Sequence, residues 1–117
     1  MNINILCAQI HNPDLPAPFT RLSAVCKNHI FAVVEFQTVG RNADLHITLG
    51  VDEKYPQNAQ EQAIQALTLC LFQKFCKAKV CVSVPESLVL VCQAANFTRV
   101  KKEKGGDQLV LLEAISQ

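Results

Sequence analysis

The sequence predicts one α+β domain over residues 1–117: a mixed central β-sheet in a three-layer α/β arrangement, flanked by two main helices, with a C-terminal β-hairpin. A chain of 117 residues is long enough for one domain with its own core. Half of the residues are apolar and 18% are charged, which excludes a disordered chain. Segments that alternate polar and apolar residues surround one long segment of helical period, and this order is typical of a sheet with crossing helices.

The N-terminal half is predicted to contain three strands and one short helix. Ile3–Ile10 alternates polar and apolar residues, as a strand with one covered face does. Prolines at positions 13, 16 and 18 end this strand. Phe19–Cys26 is predicted as a short helix, because its apolar residues fall near one helical face. The strands Ile30–Thr38 and Asp44–Leu49 then form a hairpin around Val39–Asn42.

A long helix over Asn58–Phe75 is the clearest element, because its apolar residues recur at helical spacing. Asn58 is placed to cap its start, and Glu61 three residues later matches a capping box. The core is expected to include Leu67, Leu71, Val82 and Phe97.

The C-terminal part is predicted as a strand, a helix and a hairpin. Lys79–Val84 is nearly all apolar, which is typical of a strand covered on both faces. A second helix follows over Ser87–Ala95. The last hairpin pairs Arg99–Glu103 with Gln108–Ala114 around the turn residues Lys104–Asp107.

Composition narrows the function and the compartment. Eleven Lys and Arg against ten Asp and Glu, with no Trp, argue against nucleic acid as a partner. No apolar run is long enough to span a membrane, and the N-terminus lacks the basic region of a secretory signal. We therefore expect no membrane association and a cytoplasmic location.

Six cysteines lie mostly among apolar neighbours, and no C-x-x-C pair or zinc-finger spacing occurs. In a reducing compartment this pattern predicts thiols that act as small hydrophobic residues. We expect no disulfide and no metal. These cysteines are Cys7, Cys26, Cys70, Cys76, Cys81 and Cys92.

The stretch His46–Phe97 resembles the acyl-CoA-binding half of the GNAT superfamily of N-acetyltransferases. The strand His46–Leu49 leads through Tyr55-Pro56-Gln57 into the long helix, and Val80–Val84 leads to a shorter helix ending at Ala95-Asn96-Phe97. In the family, the first of these strands ends in a splayed loop. The loop runs into a helix with the motif Q/R-x-x-G-x-G/A, whose amides bind the cofactor pyrophosphate. By the resemblance, the cofactor-binding positions are Leu49, Gln57, Asn58, Ala59, Gln60, Glu61 and Gln62.

The resemblance has departures at the glycine motif. Aligned on Gln57, Gln60 and Gln62 occupy both glycine positions, and a Cβ there hinders the close approach of phosphates. Glu61 adds a negative charge within the predicted loop. Asn96 replaces the family's glycine after the second helix, where asparagine suits the left-handed conformation. The interpretation is a degenerate acyl-CoA site, and we expect no cofactor.

Three residues are weak catalytic candidates. Cys92 occupies the position where many family members carry a tyrosine that protonates the leaving thiolate, and Pro85 stands where many carry an asparagine that contacts the cofactor. Glu35 and His46 lie on strands near the place where the family holds its general base. For both of these residues, an ordinary exposed strand position is the preferred interpretation.

Two functions therefore remain. The preferred one is a GNAT-like domain that is not an enzyme and works by binding a protein partner or a second copy of itself. Its contacts would come from Ile30–Phe36, Ala43–Leu49 or the C-terminal hairpin. The alternative is a minimal N-acetyltransferase that uses acetyl-CoA to modify an amine or a protein N-terminus. An unrelated α+β domain with the same element order also stays open.

Overall fold

The fold is that of a computed structural model, which describes residues 2–11, 13–14, 18–37, 44–100 and 109–116. Strands precede the first helix and alternate with helices after it. In chain order the elements are β1 (Asn4–Ile10), β2 (Phe19–Cys26), β3 (His29–Phe36), β4 (Asp44–Val51), α1 (Gln57–Lys74), β5 (Lys79–Pro85), a 3-10 turn (Glu86–Leu88), α2 (Val89–Ala94), β6 (Thr98–Arg99) and β7 (Leu109–Ile115).

The strands form one seven-stranded mixed sheet in the order β1-β2-β3-β4-β5-β7-β6. Only β4 and β5 are neighbours in parallel; β5 and β6 also run parallel, since both are antiparallel to β7. Two right-handed crossovers that move the same way across a sheet place their helices on the same face. The predicted α+β class with a mixed sheet and two main helices is confirmed, and both helices pack against the same face of the sheet.

The core lies between this covered face and the helices. Leu67, Leu71, Val82 and Phe97 are at most 3% exposed and belong to one cluster, as predicted. The opposite face carries no helix in the described part of the chain, and we call it the helix-free face. It carries, among others, Arg21, Glu35, His46, Thr48 and Ser83, by strand register and alternation.

The prediction of a short helix over Phe19–Cys26 is wrong. This segment is β2, which pairs with β1 over seven positions and with β3 on its other side. The spacing of its apolar residues is compatible with one face of a helix, but hydrogen bonding to strands on both sides makes the segment a strand. Lys27 and Asn28 both have positive φ, as a two-residue hairpin turn requires. Three consecutive antiparallel strands, β2 to β4, therefore precede α1, where one hairpin was expected.

The helix boundaries also differ from the prediction. The first helix begins at Gln57, directly after Pro56, and no side-chain cap closes its start, so Asn58 is not the cap. The second helix is a single 3-10 turn followed by the six residues of α2. Asn96 has φ of 73°, the left-handed conformation expected for it. The C-terminal hairpin is present as β6 paired with β7, while its turn and the predicted turn at residues 39–42 lie outside the described residues.

No disulfide joins the six cysteines, all of which fall in the described ranges. Neither described helix is long and apolar enough to cross a membrane. Among the residues that the structure describes, no group of three His, Cys, Asp or Glu side chains is placed to hold a metal ion. Strand β3 is paired with β2 on one side and, from Ala32 to Glu35, with β4 on the other.

Candidate functional site

A cleft opens where the two parallel strands separate. The strands β4 and β5 pair from Asp44 and Lys79 as far as Ile47 and Val82. Beyond this point β4 pairs only with β3, and β5 pairs only with β7. The resemblance predicted a separation at the loop after Leu49, and it begins two residues earlier. The diverging strands leave backbone N–H and C=O groups facing the cleft without a strand partner.

The loop after β4, residues 52–56, stands at the mouth of this cleft and is held from both sides. The amide of Asp52 donates to the carbonyl of Phe31 at 2.9 Å. The ring of Tyr55 stacks on the ring of Phe31 with 3.8 Å between centroids. Gln60 Nε2 donates to the carbonyl of Tyr55 at 2.8 Å. These contacts tie the loop to β3 and to the first turn of α1, so its conformation is set before any ligand binds.

The N-terminus of α1 follows this loop and presents free donors. The amides of Ala59 and Gln60 donate to the carbonyl of Pro56, at 3.0 and 3.1 Å. The amides of Gln57 and Asn58 have no acceptor within the helix, since they belong to its first turn. No acidic side chain lies in that turn. The positive end of an 18-residue helix thus remains available to an anion.

The structure changes the interpretation of the glycine motif. Residues 57–62 are helical and form no loop, so their backbone needs no glycine. Gln60 is 8% exposed, and its side-chain amide reaches back along the first turn to the carbonyl of Tyr55. Gln62 is exposed on the helix surface, and Glu61 lies beyond the first turn. Gln60 therefore supports the junction between the loop and α1, and no residue of 57–62 needs the backbone conformation of glycine.

Two carboxylates and one lysine belong to loop 52–56. Asp52 Oδ1 accepts a hydrogen bond from the amide of Lys54 at 3.0 Å. Glu53 Oε1 accepts a hydrogen bond from Ser87 Oγ at 3.4 Å, which joins the loop after β4 to the turn after β5. Gly50, near the end of β4, has no atom within 4 Å of the place where a Cβ would stand. The cleft is thus spanned at its mouth by one exposed polar contact and is open beside Gly50.

The proposed bases differ in how they are held. Glu35 Oε2 accepts two hydrogen bonds from Arg21, from Nε at 3.0 Å and from Nη2 at 2.9 Å. His46 is exposed and pairs in register with Cys81, one position before the strands separate. Both residues lie on the helix-free face. Of the two, His46 is nearer to the base of the cleft along the sheet.

Cys92 lies in the core of the protein. It is 0% exposed, and burial raises the pKa of its thiol to about 11. It packs within the same cluster as Leu71 and Val82. The cofactor-side candidate Leu49 is half-buried and packs against that cluster at the cleft. The side chain of Ala59, another cofactor-side candidate, is buried in the same cluster, so only its backbone could contact a ligand at the helix end.

A second concavity lies away from this site. A surface groove of about 620 Å³ runs between α1 and the end of β7, lined by Leu69, Phe72 and Ile115 among others. Ile115 pairs with the first residue of β5, so the groove is at the opposite end of that strand from the cleft. None of the residues predicted for cofactor binding lines it.

Sequence reasoning missed several residues of the site. The stack of Phe31 on Tyr55 joins residues far apart in the chain, and no local pattern indicates it. Thr48 and Ser83 flank the cleft on the helix-free face, one residue after the last paired positions. The alternation of the two strands would have placed both on that face, once the parallel register was known.

Comparison with known proteins finds a fold and no sequence relative. No protein-family model and no curated protein matches the chain. RimL, a ribosomal alpha-N-protein acetyltransferase in complex with coenzyme A, superposes with a TM-score of 0.64 at 18% identity, covering 83% of this chain and 62% of RimL. The N-acetyltransferase PseH of Campylobacter jejuni, in complex with acetyl coenzyme A, gives 0.63 at 12% identity, covering 85% and 69%. A Bacillus subtilis acetyltransferase in complex with CoA gives 0.66 at 11% identity, covering 99% and 100%.

These comparisons overturn the expectation that no cofactor is involved, because all three similar structures hold CoA or acetyl-CoA. In this chain the side chain of Gln60 is turned inward to Tyr55, and Glu61 stands outside the first turn of α1. The chain spans about three-fifths of the length of RimL. By these superpositions, the chain has the fold of the GNAT N-acetyltransferases.

Proposed function

We propose that the domain binds acyl-CoA at the cleft between β4 and β5 and transfers the acyl group to an amine, as a minimal N-acetyltransferase. The observation that carries this proposal is the separation of β4 and β5 after Ile47 and Val82, directly beside the N-terminus of α1. Unpaired strand edges suit the amide groups of a pantetheine arm, and the helix end suits a pyrophosphate. Coenzyme A bound in similar structures supports the assignment.

The residues present fit this ligand, except that two carboxylates near the helix end repel its pyrophosphate. The amides of Gln57 and Asn58 would hold the pyrophosphate, and Lys54 is the nearest cation along the chain. Asp52 and Glu53 oppose this attraction, although each accepts a hydrogen bond within the protein. We therefore expect binding in the micromolar range, weakened further by salt.

Acyl-CoA supplies a thioester, whose acyl group passes to an amine while the thiolate leaves. His46 accepts the proton of the incoming ammonium group, since its imidazole is exposed beside the cleft and imidazole nitrogens act as general bases. Thr48 and Ser83 flank the cleft on the same face and can orient the amine by hydrogen bonds. The amine approaches from the helix-free face, because α1 and α2 cover the other one.

A second candidate function is favoured by one observation. Cys92, which the resemblance places at the position of the thiolate-protonating tyrosine, is fully buried with a pKa of about 11. This thiol cannot reach a leaving group in the cleft. A domain that binds acyl-CoA without transferring the acyl group would have this arrangement.

Titration calorimetry with acetyl-CoA tests the shared step of both functions. Ser83→Trp should fill the base of the cleft and reduce the affinity at least tenfold. Leu111→Trp is the matched control, because Leu111 is the register partner of Ser83 on β7, one strand further from the cleft. Absence of binding at millimolar acetyl-CoA would refute the proposal.

Transfer to a peptide with a free N-terminal amine, followed by mass spectrometry, separates the two functions. We expect acetylated peptide with the natural chain and at least tenfold less with His46→Gln, at unchanged acetyl-CoA affinity. Binding without any transfer would instead support the non-catalytic function.

A further inference from the structure

Strand β1 forms an outer edge of the sheet. It pairs with β2 over all seven positions from Asn4 to Ile10, without a bulge, and no described residue pairs with its other side. The N–H and C=O groups on that side form a continuous row available to another strand. Leu6, on the helix-free face, is 58% exposed.

This edge lacks the features by which proteins protect edge strands. Asn4–Ile10 contains no charged residue, no proline and no glycine, and the first charged side chain of the sequence is Asp14. The opposite edge is different: within the described part of the chain β6 has two residues, and Arg99 in it pairs with Glu86 at 3.1 Å. Short length and charge discourage pairing at β6, whereas β1 is long, regular and uncharged.

We propose that β1 pairs antiparallel with β1 of a second copy of this chain, about a twofold axis perpendicular to the sheet. Full overlap of the seven residues places Cys7, the middle residue, on the axis and opposite its own counterpart. Leu6 then lies opposite Ala8, and Ile5 lies opposite Gln9. The two sheets become one continuous sheet, with all four helices on the same side.

A second copy fits this edge because strand and partner are then identical in length and charge. Leu6 and Ala8 of both copies meet on the helix-free face, so the exposed leucine becomes covered by apolar neighbours. No like charges face each other across the axis, since the strand carries none, and the chain has a net charge of only +1. An isologous contact of this kind closes on itself and yields a dimer.

Sedimentation equilibrium between 1 and 100 µM tests the state of association. Leu6→Lys places charges beside the axis and should raise the dimer dissociation constant at least tenfold. Leu90→Lys is the matched control: Leu90 is 71% exposed on α2, away from the edge, and its replacement should leave the dimer intact. Thermal melts of both variants check that each is folded, which their exposed positions lead us to expect.

Oxidative cross-linking tests the register. Antiparallel partners directly opposite each other have Cα atoms about 4.5–5.5 Å apart, which is within disulfide range. Mild oxidation should cross-link the natural chain and Cys76→Ser but not Cys7→Ser. A monomer at 100 µM, a dimer insensitive to Leu6→Lys, or a cross-link that persists in Cys7→Ser would each overturn the proposal. None of these readouts involves acetyl-CoA, so the outcome is independent of the proposed function.

Discussion

Replacement of Gln60 by alanine tests whether this side chain braces the loop at the cleft or merely replaces a glycine. Gln60→Ala removes the 2.8 Å hydrogen bond to the carbonyl of Tyr55, and the part-buried carbonyl loses its partner. A hydrogen bond of this type contributes about 1 kcal/mol, and a carbonyl left without a partner adds up to about 1 kcal/mol more. Alanine favours the helix slightly more than glutamine does, which offsets a few tenths of a kcal/mol. We expect a net loss of about 1–2 kcal/mol.

Thermal unfolding followed by circular dichroism measures this loss. An unfolding entropy of about 2.1 cal/mol/K per residue makes 1 kcal/mol equivalent to about 4 °C for this chain, so Gln60→Ala should lower Tm by about 4–8 °C. Gln62→Ala is the matched control: it makes the same change on the same helix at an exposed position, and should leave Tm within about 2 °C. Equal Tm values for the two variants would refute the bracing role of Gln60.

Three further predictions concern the core, the helix end and the pH dependence. Leu71→Ala should cost about 2–5 kcal/mol in denaturant unfolding, because Leu71 is 0% exposed, whereas Leu69→Ala at 53% exposure should cost less than about 0.5 kcal/mol. Asn96→Ala should cost about 1 kcal/mol, since alanine tolerates φ of 73° poorly, while Asn96→Gly should be nearly neutral in the same assay. Burial raises the pKa of Cys92 from 9.0 to about 11, so its thiol ionises more readily in the unfolded chain. The free energy of unfolding should therefore fall as pH rises from 9 towards 11. Cys92→Ala should make this dependence of the unfolding free energy on pH less steep. A slope unchanged in Cys92→Ala would contradict this assignment.

Several elements could be predicted because their signals are local. The helical period of the long helix and the alternation of β4 come from side chains a few residues apart, and these positions fall on the same face whatever the rest of the chain does. The strand β5 was recognised from its nearly continuous apolar run, and Asn96 from its fit to a left-handed position. Order and spacing of these elements also carried the resemblance to the GNAT fold.

The segment Phe19–Cys26 shows where local signals were not enough. Its apolar spacing is compatible with a helix, and only pairing with β1 and β3 makes it a strand. That conformation completes the three-stranded meander before α1, which the sequence analysis did not predict. Strand pairing depends on distant parts of the chain, and these are not visible in a window of eight residues.

The fold class could be predicted from the sequence, whereas the geometry of the candidate site was decided mainly by the tertiary structure. Composition and periodicity predicted the α+β class and the long helix after the strand that begins at Asp44, because burial of apolar faces follows from sequence spacing. The start of α1 at Gln57 and the contact of the Gln60 side chain with the carbonyl of Tyr55 were both set by the tertiary structure. A shift of one or two residues in a helix start changes which side chains face a ligand and which are buried. Such a shift is smaller than local patterns resolve, and it is set by contacts between residues distant in the chain.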